Sequence, residues 1–278
     1  MGMSKTKEHR TQQVIGVQFD IAWEDREMNY ERVEALLDER CGEIKKGAMV
    51  CLPEMFSTGF SLKVNKTAEG DEVVTEKFMK RLARKYEVYM MGGLVERDPR
   101  PNGNRKGLNL CVVMNPEGEE VCRYTKIHPF SYGQETDFYN SGDEVVTFKW
   151  GELTVAPFVC YDVRFPEIFR HGAAKGAEVI TVIANFPEKR IAHWVTLNQA
   201  RAIENQAIVV AVNRVGDDPF LAYNGRSLVI DALGEIRADG GEDEGLVMWD
   251  IDLDVLDEYR GRFPALRDMR EDFLGLDE

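Results

Sequence analysis

Three residues of this chain have side chains suited to acyl transfer, and each stands where an apolar run ends. Glu54 follows AMVCLP (48–53), Lys126 follows VCRYT (121–125), and Cys160 follows LTVAPFV (153–159) just ahead of a helix-like stretch to Lys175. A thiol with a pKa of about 8.5 is mostly protonated at neutral pH and needs a base or a cation beside it to attack well. Glu54, set in a partly apolar site, can take that proton and later deliver it to a leaving amine. Lys126 can hold the developing oxyanion, aided by the backbone N–H of Tyr161. A sharp strand-to-helix turn would keep Cys160 clear of a sheet and aim neighbouring N–H groups at the same space. Taken singly, each residue also has a plainer reading: Cys160 as an inert buried thiol, Glu54 as an acid in a first helical turn, Lys126 as a solvated lysine.

The elements that must position these residues alternate in kind. Strands are expected at 14–20, 48–54, 88–95, 107–114, 119–125, 153–160, 178–186, 207–215 and 245–253, with a hairpin over 227–239 that turns at Ala232–Gly234. Helical periodicity covers about Met28–Lys46, with Val33, Leu36, Leu37 and Ile44 on one side, and then 72–86, the stretch to Lys175, and 190–206. This alternation predicts an α/β protein with helices covering sheet faces. A run such as VITVIA predicts a strand buried on both faces, and the carboxyl ends of such strands are where active sites collect. No repeat or low-complexity linker interrupts the chain, so a polar tail over 1–13 and a single domain over 14–278 are expected.

Composition narrows the partners. The 278 residues carry 35 basic and 49 acidic side chains, a formal charge of −14, which argues against nucleic acid or an anionic membrane surface. No apolar run approaches the roughly 20 residues of a membrane span, and the polar start is not a secretory signal. Five cysteines without a CxxC pair point to a reducing, cytoplasmic setting. Four scattered histidines offer no metal-ligand spacing, so no metal is expected.

LPEMFSTGF, YTKIHPF and CYDVRFPE, in that order, resemble the glutamate, lysine and cysteine motifs of the nitrilase superfamily of carbon–nitrogen hydrolases. Ala184-Asn185-Phe186-Pro187, Trp194, ARAIENQ (200–206), Asn213-Arg214-Val215-Gly216 and Gly225-Arg226-Ser227 extend the resemblance from about Val14 to the end. The resemblance implies a four-layer α-β-β-α sandwich of two mixed sheets flanked by helices. It implies Glu54 as base, Lys126 as oxyanion stabiliser and Cys160 as nucleophile, and it matches Glu135 in SYGQETDFY to a second glutamate that positions Lys126 and substrate. Tyr161, Asn185 and Phe186 become candidate substrate-binding residues. No cofactor is implied. A homodimer is, with the segment Val255 to Leu274 reaching toward its partner. LPEMFSTGF and ARAIENQ…NRVG resemble the ω-amidase-like branch most. That branch splits the terminal amide of short dicarboxylic acid monoamides through a thioester, releasing ammonia and a carboxylic acid. An N-carbamoyl amidohydrolase or a nitrilase on the same site is the alternative, and a non-catalytic scaffold or sensor on the same fold is the reading of a different class. The sequence departs from many relatives at HPFSYGQE after the lysine and at Pro157 before the nucleophile, which leaves substrate choice open.

The remaining candidates have structural readings. Cys41, Cys51, Cys111 and Cys122 are core or surface thiols. His128 orients the lysine loop in preference to forming a Cys–His dyad. Asp162 and Arg164 either form an ion pair at the turn or pack at a helix terminus. Arg201 and Glu204, three apart on one helix, form a supporting salt bridge. Trp194 is a core residue, and Asp239–Glu244 is a solvated loop.

Overall fold

The computed structural model describes residues 10–101 and 106–273. Its strands are β1 (Thr11–Gln18), β2 (Met49–Cys51), β3 (Tyr89–Arg97), β4 (Gly107–Met114), β5 (Glu120–Thr125), β6 (Phe148–Trp150) and β7 (Leu153–Val159). They continue with β8 (Val179–Ile183), β9 (Ile208–Val212), β10 (Val215–Asp217), β11 (Ala222–Asn224), β12 (Leu228–Ile230), β13 (Ile236–Asp239) and β14 (Gly245–Asp252). The helices are α1 (Arg26–Glu39), α2 (Val64–Thr67), α3 (Val74–Tyr86), α4 (Glu135–Phe138), α5 (Pro166–Ala174), α6 (Ile191–Asn205) and α7 (Leu253–Arg262). Two six-stranded sheets result, ordered β14-β1-β2-β3-β4-β5 and β13-β12-β9-β8-β7-β6, while β10 and β11 form a separate hairpin. Each sheet has a parallel trio at its heart, β1-β2-β3 in one and β7-β8-β9 in the other, with antiparallel strands on the flanks.

The period of two along each strand sorts side chains into layers. Val14, Met49, Cys51, Cys111 and Val113 join Val155 and Val159 of the second sheet in one buried cluster. Their strand neighbours Ile15, Val50, Leu52, Leu110 and Val112 point the other way and pack with Val33 and Leu37 of α1 and Phe78, Met79 and Leu82 of α3. Phe169 of α5 and Trp194 and Ala202 of α6 cover the second sheet. The expected four-layer sandwich of two mixed sheets flanked by helices is therefore what forms.

Element ends differ from the sequence expectation for local reasons. β1 begins at Thr11 because backbone pairing with β14 runs from Thr11↔Asp252 to Gln18↔Gly245, and polar side chains do not prevent it. The Gln12 and Gln13 amides find carbonyl partners at Trp150 and Glu43. Residues 1–9 of the expected tail lie outside the described residues, as does Leu274. α1 starts at an Asp25 cap that accepts the Met28 N–H at 3.1 Å. It stops at Glu39, well before Lys46, and a 3₁₀ turn over Cys41–Glu43, with the poor helix former Gly42, leads toward β2. Ile44 still packs on the helix-side core. The expected strand 207–215 divides into β9 and β10, since Asn213 and Arg214 leave the ladder. The charged carboxy-terminal stretch contains α7, whose start is capped by Asp252 through the Asp254 and Val255 N–H groups and whose Leu253 and Leu256 are buried.

One glycine decides where the first candidate residue can sit. A Cβ on Gly93 of β3 would stand 2.4 Å from the Met55 N and 2.6 Å from the Glu54 Cα. The chain after β2 thus rides directly over β3, with the Gly93 N–H donating to Pro53 O and the Phe56 N–H to Gly93 O, both at 3.2 Å. Gly93→Ala should lower stability by about 1–3 kcal/mol through overpacking. Urea unfolding measures it, and an unchanged midpoint would show that the loop can lift away freely.

Candidate active site

Glu54 lies beyond the carboxyl end of β2, and Met55 after it adopts a left-handed φ of 44°. Lys126 follows β5 directly, and its N–H donates to Asn109 O at 2.9 Å, so the ladder with β4 carries it one residue further. Cys160 opens the 3₁₀ turn Cys160–Arg164 after β7 with φ 50°, a left-handed conformation that costs free energy in a residue other than glycine. The turn is held by buried Asp162, whose carboxylate accepts the Val159 N–H at 3.0 Å and the Tyr124 hydroxyl at 2.8 Å. The same carboxylate accepts the His128 N–H at 3.0 Å and lies 3.0 Å from His128 Nδ1. Asp162 thus ties the cysteine turn to the lysine loop. Arg201 fastens the turn from α6 through Nε and Nη2 to Val163 O at 3.0 and 2.6 Å, and it pairs with Glu204 at 2.8 Å as expected.

Four side chains far apart in sequence converge. Lys126 Nζ donates to Glu54 Oε1 at 2.9 Å and Glu135 Oε2 at 2.8 Å, with all three residues buried. Glu54 Oε2 accepts the Asn185 N–H at 2.9 Å, and Asn185 Nδ2 donates to Glu54 O at 2.6 Å. Cys160 Sγ sits 3.8 Å from Asn185 O. It shares with Lys126 a cleft of about 420 Å³, counting its open mouth, whose walls include Phe60, Phe130, Tyr161 and Phe186. All four proposed catalytic positions, Glu54, Lys126, Cys160 and Glu135, therefore meet. Tyr161, Asn185 and Phe186 line the same cleft.

The electrostatics follow from burial and pairing. Burial pushes the Glu54 carboxyl up, but the Lys126 ammonium and the amides of Asn109 and Asn185 outweigh it and hold the group below its ordinary range. Burial raises Glu135, and the nearby Glu54 charge adds to this; Lys126 offsets only part of it. Burial lowers Lys126, yet the two carboxyls overcome that and keep it firmly cationic. The Cys160 thiol is raised well above its usual value by burial and then by Glu54. The resting arrangement is thus a protonated thiol beside an ionised base.

Asn109 of β4 is the residue that sequence reading passed over. Its Nδ2 donates to Glu54 Oε1 at 2.7 Å and to Glu135 Oε1 at 2.9 Å, using both amide hydrogens to hold the two carboxyls in register. The available signal was one buried polar residue inside GLNLCVVM, which needs polar partners. The other readings sort as follows. Asp162 does not pair with Arg164, because its oxygens are already taken up by the turn and the lysine loop. Arg164 instead stands over the Tyr161 and Phe186 rings and 3.2 Å from His193 Nδ1. His128 stacks on Phe165 with ring centroids 3.8 Å apart and orients the lysine loop. Trp194 is core and packs against Phe186 at 5.2 Å. Cys51, Cys111 and Cys122 are buried and Cys41 is exposed. The 240–244 loop is largely exposed but anchored, since Gln18 donates to three of its carbonyls. Among the described residues no group of three or more His, Cys, Asp or Glu could hold a metal ion, and no helix is long and apolar enough to cross a membrane.

Residues 14–261 match the carbon-nitrogen hydrolase family. A 2-oxoglutaramate amidase of Bacillus subtilis (strain 168) is 33% identical over 257 residues, 92% of this chain and 96% of that protein. The omega-amidase YafV of Yersinia enterocolitica is 34% identical over 254 residues, 91% and 94% of the two chains. XC1258 of Xanthomonas campestris, a CN-hydrolase superfamily protein solved with an arsenic adduct in its active site, superposes with a TM-score of 0.86 at 32% identity, covering 94% of this chain and 98% of that one. With this match over nearly the whole length, and with its lysine and cysteine lining one cleft over two buried glutamates, the chain belongs to the carbon-nitrogen hydrolases of the nitrilase superfamily.

Proposed function

We propose that this enzyme hydrolyses the terminal amide of a short ω-amido acid through a thioester on Cys160. The observation that carries the reading is the buried Lys126 ammonium held by Glu54 and Glu135 in the cleft that contains the Cys160 thiol. Family membership and the amidase names of its relatives support amide C–N hydrolysis as the class of reaction, and two of those names favour an ω-amide over an N-carbamoyl compound or a nitrile.

In the proposed sequence Cys160 Sγ attacks the amide carbon as its proton passes to Glu54. The carbonyl oxygen becomes an oxyanion held by Lys126 Nζ and the Tyr161 N–H. Collapse of this intermediate breaks the C–N bond, and Glu54 gives its proton to the departing nitrogen, releasing ammonia. A thioester between Cys160 and the acyl group remains. Water then gives a proton to Glu54 and attacks the thioester carbon; the C–S bond breaks, the thiol regains its proton, and the carboxylic acid leaves. Glu54 serves both halves because it is ionised at rest and lies within reach of the sulfur. Glu135 and Asn109 are positioning residues, fixing the ammonium and the base respectively.

Ammonia release from a panel of ω-amido acids, N-carbamoyl amino acids and nitriles tests the substrate class. Preference for nitriles or carbamoyl compounds would overturn the ω-amide assignment. Cys160→Ala should lower kcat by more than about 10³-fold with the fold intact and abolish any acyl adduct seen by intact-protein mass spectrometry. Turnover surviving in that variant would remove the thioester. Asn109→Leu removes a hydrogen bond that depresses Glu54, so the acid limb of the kcat/KM profile should move to higher pH. An acid limb that stays in place would deny Asn109 this part.

A further inference from the structure

The cleft contains more positive charge than the proposed chemistry uses. Lys126 is already satisfied by two carboxyls. Two guanidinium groups, Arg164 and Arg190, also line the cleft. Elsewhere in this acidic chain the guanidinium groups of Arg81, Arg123, Arg226 and Arg237 each hold a carboxylate within 2.7 Å. Among the described residues neither Arg164 nor Arg190 has a carboxylate partner. Arg164 is partly committed to His193 and to the faces of Tyr161 and Phe186. Arg190 makes a single ring contact, with its guanidinium 5.4 Å from the Phe130 centroid. That leaves its forked edge uncommitted. Its place is fixed by the turn Glu188–Arg190, where its own N–H donates to Pro187 O at 2.9 Å just before α6.

Charge balance gives this wall a purpose. At the reacting end of the cleft the Lys126 ammonium is already paired with Glu54 and Glu135, which are buried beneath it, so an anionic substrate gains little from the floor. A half-buried guanidinium on an aromatic wall offers two parallel N–H donors to a carboxylate, in a setting that screens less than open water. Resting on the ω-amidase reading above, we propose that Arg190 is the specificity-determining residue that binds the distal carboxylate of the substrate, with Arg164 as the second cation of the same wall. A monoamide of a short dicarboxylic acid then enters amide first, with its charge left at the arginines. A neutral amide leaves Arg190 to water, and a cationic one is repelled.

The test compares succinamate with butyramide, which keeps the amide and a similar length but lacks the carboxylate. In the wild-type enzyme kcat/KM should favour succinamate, and the preference should shrink as salt rises from about 0.05 to about 0.5 M. In Arg190→Gln the succinamate-to-butyramide ratio of kcat/KM should fall about tenfold or more, with the loss sitting in KM. Arg190→Lys should restore part of the ratio, because charge returns without the fork. A ratio that is the same in wild type and Arg190→Gln, or a wild-type preference for butyramide, would overturn the proposal. Should Arg190→Gln fail to fold, by circular dichroism, the wild-type salt series decides: a preference insensitive to salt overturns the assignment. If the wild type released ammonia from neither amide, the function proposed above would fall first. Equal use of both would leave that function standing and remove only this inference.

Discussion

An ammonium ion shut away from water is the constraint on which this architecture rests. Lys126 is buried with its Nζ between two carboxyls, and removing either partner of such a buried pair typically costs about 3–5 kcal/mol because the other charge is stranded. The requirement reaches outward. Glu54 must come from the end of β2 over a side-chain-free Gly93, Glu135 must be lifted into place by the short helix α4, and Asn109 must bridge both. Each demand fixes an element, so the sheet ends are arranged around one cation.

A second buried acid performs the equivalent task for the sulfur. Asp162 takes donors from the strand before the nucleophile, from Tyr124 on β5 and from the His128 loop. The left-handed conformation of Cys160 persists because these bonds, together with Arg201 from α6, over-determine the turn. The turn that carries the thiol is therefore set by charged and polar groups that do not line the cleft, an arrangement that tolerates little loosening of the surrounding shell.

Much of this was legible in the sequence, for identifiable reasons. Fully apolar runs such as VITVI announced buried parallel strands, and a strand end followed by Glu, Lys or Cys announced where chemistry would gather. Three ordered motifs picked out the glutamate, lysine and cysteine positions that the fold brings together. Other features were not legible because they depend on contacts distant along the chain. Thr11–Gln13 read as tail until β14 offered a backbone partner. α7 went unforeseen because its buried face is only Leu253 and Leu256. Asp162 read as a neighbour of Arg164 because sequence shows adjacency and hides Tyr124 and His128. Asn109 carries no motif at all; only the convergence of two glutamates makes its amide meaningful.

The acid and the amine belong to the first sheet, and the sulfur and the Asn185 carbonyl to the second, so the machinery exists only where the two leaves of the sandwich meet. Neither leaf alone holds the acid, the amine and the sulfur, so a small slide of one sheet against the other would separate them without changing a single residue.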